Sequence, residues 1–117
     1  MKFSESLKKN SDFQKVYKNG KSFANRHLVM YVLENETEEN RLGISVSKKV
    51  GNSVVRHRLT RLVRESYRLN EDKFLFGKDI VVIVRTNAKD IDFHEMEKSF
   101  IHISKKQKLI RNPEEEK

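Results

Sequence analysis

The five residues Ile80 to Val84, I-V-V-I-V, constrain this chain more than any other stretch. A continuous β-branched run of this length, flanked by polar residues, is the pattern of a strand buried on both faces. It predicts a central strand over 78–86. Other segments supply its neighbours. Residues 22–34 read as one strand or a bent pair, with Leu28, Met30 and Val32 pointing one way and Val29, Tyr31 and Leu33 the other. Residues 41–47 alternate cleanly, with Leu42, Ile44 and Val46 toward the core and Gly43, Ser45 and Ser47 on the second face. Small residues there leave a shallow floor on which something could lie. The acidic turn 35–40, N-E-T-E-E-N, sits between these two patterns and predicts a hairpin loop.

Helices are signalled at three places. Ser11-Asp12-Phe13-Gln14 has the form of a capping box, and with Gly20 as a stop it predicts a short helix over 12–18. Phe13 and Tyr17 share one face of it, with Val16 beside them. That face is either core or a surface on which nucleic-acid bases stack. Asp92-Phe93-His94-Glu95 opens a helix through about 108, with Phe93, Met96, Phe100 and Ile103 on its inner side. Its acids lie at the start and its lysines at the end, as the helix dipole favours.

The third helix carries the charge. From Lys48 to Arg68 there are seven basic residues against one acid, Glu65, a net +6 in 21 residues of a chain whose total is +8. Gly51-Asn52-Ser53 offers a turn and two good caps, so the helix is expected from Val54 to about Leu69-Asn70. At 100° per residue, Val55, Leu59, Leu62, Val63 and Leu69 gather on one side. His57, Arg61, Arg64 and Arg68 gather opposite, flanked by Arg56 and Arg58. A solvated face usually alternates signs. Here like charges at i,i+3 and i,i+4 repel by a few tenths of a kcal/mol per pair, and a polyanion would relieve that repulsion.

Size and composition exclude much else. The 117 residues make one domain over 1–110, and the tail 111–117, R-N-P-E-E-E-K, has no apolar anchor and is expected to be disordered. Without cysteine there is neither a disulfide framework nor a Cys-ligated metal. The four histidines, His27, His57, His94 and His102, lack ligand spacing, so no metal site is expected. No nucleophile elbow or phosphate-binding glycine loop occurs. No apolar run is long enough for a signal peptide or a membrane span, which predicts a cytoplasmic protein. A pI near 9.8 points to nucleic acid before an anionic membrane, because the apolar side of the basic helix is needed for the core.

The stretch S-V-S-K-K-V-G-N-S-V-V-R-H-R-L-T-R-L-V-R-E resembles the signature of the bacterial ribonuclease P protein subunit, S-x-K-K-x-G-x-A-V-x-R-N-R-x-K-R-x-x-R. D-F-Q-K-V-Y-K-N-G-K-S-F-A-N-R-H-L-V-M-Y is similar to that family's first helix and strand, and D-I-V-V-I-V-R to a later strand. The resemblance spans roughly residues 5–105. It departs from the pattern at His57, where the family has Asn, and at Thr60, where a lysine charge is lost.

What the resemblance implies is an α+β fold, a single-domain αβ sandwich of about three helices on a four-stranded sheet with a left-handed βαβ crossover. It implies a non-catalytic protein that binds a catalytic RNA and the 5′ leader of precursor tRNA. It further implies Mg²⁺ chemistry at the RNA, no cofactor on the protein, no membrane and no required protein partner. Lys48, Lys49, Arg56, His57, Arg58, Arg61, Arg64 and Arg68 would meet RNA. Phe13, Tyr17 and Tyr31, with Ser45 and Ser47, would line the leader cleft. Two other readings are a general or ribosome-associated RNA-binding protein and a protein-only nuclease. The absence of a carboxylate or histidine cluster disfavours the nuclease.

Overall fold

In the computed structural model, which describes residues 4–111, Ile80 to Val84 do form the middle of a sheet. The elements are β1 (Ser4–Ser6), α1 (Asn10–Asn19), β2 (Lys21–Ala24), β3 (Leu28–Glu34), β4 (Asn40–Ser45), α2 (Ser53–Asn70), β5 (Lys78–Val84) and α3 (Phe93–Lys106), with short 3-10 turns at Glu71–Lys73 and Thr86–Ala88. The strand order is β1-β4-β5-β3-β2. β5 runs parallel to β4 and antiparallel to β3, so both of its edges are covered. The class is α+β, as expected. The sheet has five strands rather than four because three residues, Ser4–Ser6, pair parallel with β4. Three residues are too few to show a period in sequence. The expected tail lies outside the described residues, apart from Arg111.

The segment 35–39 is not a hairpin loop. β3 and β4 never pair with each other, because β5 inserts between them. Its β-branched run offers a strand both neighbours can pair with along nearly their whole length. The loop is instead anchored to β5. The Asn35 N–H donates to Gly77 O at 2.9 Å and the Asn35 amide to Asp79 Oδ1 at 2.9 Å.

α2 and α3 cover one face of the sheet, burying Leu28, Met30, Leu42, Ile80, Val82 and Val84 with Leu59, Val63, Met96, Phe100 and Ile103. The buried arc of α2 is rotated from the expected one. Tyr67 is fully buried and Leu69 is 48% exposed. Burial of a tyrosine needs partners for its hydroxyl, and they are present. Tyr67 Oη shares a hydrogen bond with Ser4 Oγ at 2.6 Å and accepts from Asn40 Nδ2 at 3.2 Å, while its ring packs against Phe74 at 5.0 Å. No such network is visible in the spacing of apolar residues.

Helix ends follow local chemistry in two of three cases. Asn52 accepts from Val55 N and Asp92 from Glu95 N, the side-chain caps expected of those residues. α1 starts two residues earlier than the 12–18 reading. Its N-cap is Lys9, with no side-chain cap, so the Ser11–Gln14 capping box does not form. Lys9 O accepts from the N–H groups of both Asp12 and Phe13, which begins the helix ahead of Ser11.

Candidate nucleic-acid interface

The second face of the sheet is covered by α1 and by Leu7 just ahead of it. At 1.5 Å per residue the ten residues of α1 span only about 15 Å, too little to cover five strands. Register shows where the cover stops. One row across the sheet is Ser22, Tyr31, Val81 and Gly43, and the next is Ala24, Val29, Ile83 and Ser45. Over the first row, Leu7, Val16 and Val81 are buried. In the second row Val29, Ile83 and Ser45 are only half-buried and Ala24 is exposed. The result is a cleft whose floor is that second row and whose wall is aromatic.

Phe13 and Tyr17 on α1 have ring centroids 6.3 Å apart, and Tyr17 meets Tyr31 of β3 edge-on at 5.1 Å. All three are half-buried. Burial raises the Tyr17 phenol above its ordinary value, partly offset by its hydrogen bond with the Ser45 hydroxyl. It therefore remains a neutral group near neutral pH.

The shallow floor read from Gly43, Ser45 and Ser47 is only partly there. A Cβ at position 43 would lie 2.7 Å from Phe13 Cζ and 3.1 Å from Leu7 Cβ, so the chain itself fills the space above Gly43. β4 ends at Ser45, and Ser47 lies in the turn toward α2, where its carbonyl accepts from Val50 N. Ser45 is the one of the three that faces the open row. Ile83 of that floor was missed, since a continuous β-branched run gives no sign that one of its residues is left half-covered.

The open row is at the C-terminal ends of β4 and β5, the end at which the chain leaves β4 through Lys48 and Lys49 to start α2. The basic residues of that stretch do not form one surface. Lys48, Lys49, His57, Arg61 and Arg64 are exposed, and none of their side chains makes a hydrogen bond or ion pair with another described residue. Arg68 is bound to Glu65 on the same helix, which corrects its place in an unpaired row. Arg58 donates to the carbonyls of Ile91, at 3.0 Å, and Lys89, at 2.6 Å, and so fastens the approach to α3. Arg56 is half-buried on the side of α2 that Tyr67 presents to β1 and β4, and its Nε has no hydrogen-bond partner among the described residues. Thr60 bonds to its own helix, at Arg56 O, 2.9 Å.

Among the described residues no group of three or more histidines or acids is placed to hold a metal ion, and no helix is long and apolar enough to cross a membrane. What the molecule offers is a half-open aromatic cleft with Lys48 and Lys49 at one end, and further exposed cations on α2. Phosphates and unstacked bases need those two things together.

Comparison with known proteins agrees in sequence and in shape. A family model described as Ribonuclease P matches residues 1–108. The ribonuclease P protein component of Lachnoclostridium phytofermentans is 57% identical over 111 residues, covering 95% of this chain and 96% of the relative. That of Alkaliphilus metalliredigens is 51% identical, covering 94% and 99%. Among solved structures, the RNase P protein of Staphylococcus aureus superposes with a TM-score of 0.86 at 43% identity, covering 92% of this chain and 99% of the other. The protein from Thermotoga maritima gives 0.81 at 34%, covering 87% and 96%.

Proposed function

The chain belongs to the ribonuclease P protein family, and from that premise we propose that its cleft holds the 5′ leader of precursor tRNA while the exposed cations of α2 meet the catalytic RNA. Its function is that of the family, the protein component of an endoribonuclease that matures the 5′ ends of tRNA. A general RNA-binding role is not favoured, since the match extends over nearly the whole chain.

The observation that carries the leader assignment is the half-covered row Val29, Ile83 and Ser45 beside Tyr17 and Tyr31. A single strand laid there has aromatic edges and faces for its bases, and Lys48, Lys49 and the start of α2 at one end for its phosphates. Stacking is tolerant of sequence, which suits leaders that differ from one tRNA to the next. Arg61 and Arg64 point away from the core and are assigned to the catalytic RNA. The division of labour follows from the side chains. No residue in the cleft is arranged as an acid–base pair, so the protein binds and orients, and Mg²⁺ acts at the RNA. Neutralising phosphates of two RNA strands lets them approach with less metal. A cytoplasmic location is part of the same proposal.

Mixing the protein with a bacterial ribonuclease P RNA and a precursor tRNA at low Mg²⁺ tests the reading. Stimulated 5′ cleavage is expected. No stimulation would contradict it, and cleavage by the protein without RNA would restore the protein-only alternative.

A further inference from the structure

On the other side of the molecule, between the end of α2 and the outer face of α3, lies a groove of about 1100 Å³. Its floor is aliphatic, formed by Leu69, Ile101 and Ile110. Its rim carries Lys73, Lys98, Lys105 and Arg111 against one acid, Glu97, which already accepts from Asn70 Nδ2 at 3.1 Å. The walls are tied together. Phe74 and Ile110 form a β-bridge and Arg111 N donates to Lys73 O at 3.2 Å, so the groove is preformed.

We propose that this groove is a docking site for an acidic amphipathic helix of a partner protein, an accessory interaction separate from assembly with RNA. Two features decide between protein and RNA. Stacking of bases favours large aromatic rings, which the α1 side has in Phe13, Tyr17 and Tyr31, whereas this groove has only the imidazoles of His94 and His102. An aliphatic floor inside a cationic rim is complementary to leucines spaced i, i+3, i+4, i+7 on a helix whose flanks are glutamate or aspartate. The exposure of Leu69, which breaks the pattern of α2 without serving its core, then has a use. The 14 residues of α3 are about 21 Å long, enough to seat roughly four turns of a partner.

The test uses the full chain and a labelled peptide of about fourteen residues with leucines at that spacing and glutamates flanking them, followed by fluorescence anisotropy. A control peptide has the same composition with the leucines distributed around the helix. The patterned peptide is expected to bind at least about tenfold more tightly than the control, a difference of about 1.4 kcal/mol. Leu69→Asn and the double change Lys98→Glu with Lys105→Glu should each abolish that preference while leaving precursor-tRNA cleavage by the holoenzyme unchanged. Both changes are at exposed positions, so folding is retained. Equal binding of the two peptides, or no binding, would overturn the proposal. Displacement of the peptide by a single-stranded RNA oligonucleotide would assign the groove to RNA instead. Binding that emerges only when the chain is ended at Arg111 would assign it to the chain's own Glu114–Glu116.

Discussion

The ring of Phe13 occupies the space that a side chain at Gly43 would need, with Cζ 2.7 Å from the position of a Cβ there. This contact sets how closely α1 approaches the sheet, and so where the covered row ends and the open one begins. Gly43→Ala is expected to cost about 1–3 kcal/mol through overpacking, read as a lower midpoint in urea unfolding, and to weaken precursor-tRNA binding as α1 is displaced. An alanine variant of unchanged stability would mean that α1 floats freely over β4.

Arg41 and Asp79 form a second relationship with a measurable signature. Arg41 Nε and Nη2 bind the two Asp79 oxygens at 2.8 and 2.6 Å. Burial alone would raise the Asp79 carboxyl, but hydrogen bonds from Arg41 and Asn35 outweigh it and hold the group below its ordinary value of 3.8. The folded value is therefore below the unfolded one. The contribution to stability is present above about pH 4 and is lost as pH falls through the folded value. Arg41→Ala should cost about 2 kcal/mol, less than the roughly 3–5 of a fully buried pair because Arg41 is half-exposed, and should flatten the rise of stability with pH in this acid range. Unfolding midpoints measured across that range check both.

The arginines of α2 divide by what they touch. Arg61→Ala and Arg64→Ala should weaken RNA binding while leaving stability within about 0.5 kcal/mol. Arg58→Ala should instead lower stability by about 0.5–1.5 kcal/mol, since it removes the donor to two carbonyls before α3, one of them exposed to water. If ~5 phosphates are neutralised, log affinity should fall against log salt with a slope near −3.5 to −4.5. A flat salt response is incompatible with the charged surface described above.

Tyr31→Ala should lower affinity for precursor tRNA more than for mature tRNA, by about 1–3 kcal/mol if one base stacks on it. Equal losses for the two substrates would return Tyr31 to a purely structural role under α1.

The parts of this fold that were legible in the sequence are those governed by local periodicity and chemistry. The run Ile80 to Val84 marked the central strand, Asn52 and Asp92 marked helix starts, and Met96, Phe100 and Ile103 marked a buried face. What stayed hidden depends on contacts distant in sequence. Tyr67 is buried because Ser4 and Asn40 reach it, and 35–39 is a crossing loop because β5 comes back between β3 and β4. The candidate site divides the same way. Its charges and aromatics were readable, but Arg58 and Arg68 were already committed to partners, and Ile83 joins the floor only through the register of three strands.

The most direct test of the central claim places 4-thiouridine in the leader of a precursor tRNA, irradiates it in the reconstituted holoenzyme and maps the attached residues by mass spectrometry. The account predicts crosslinks on the segments carrying Tyr17, Tyr31, Ser45 and Ile83. Crosslinks confined to the outer faces of α2 and α3, with none in the cleft, would contradict it.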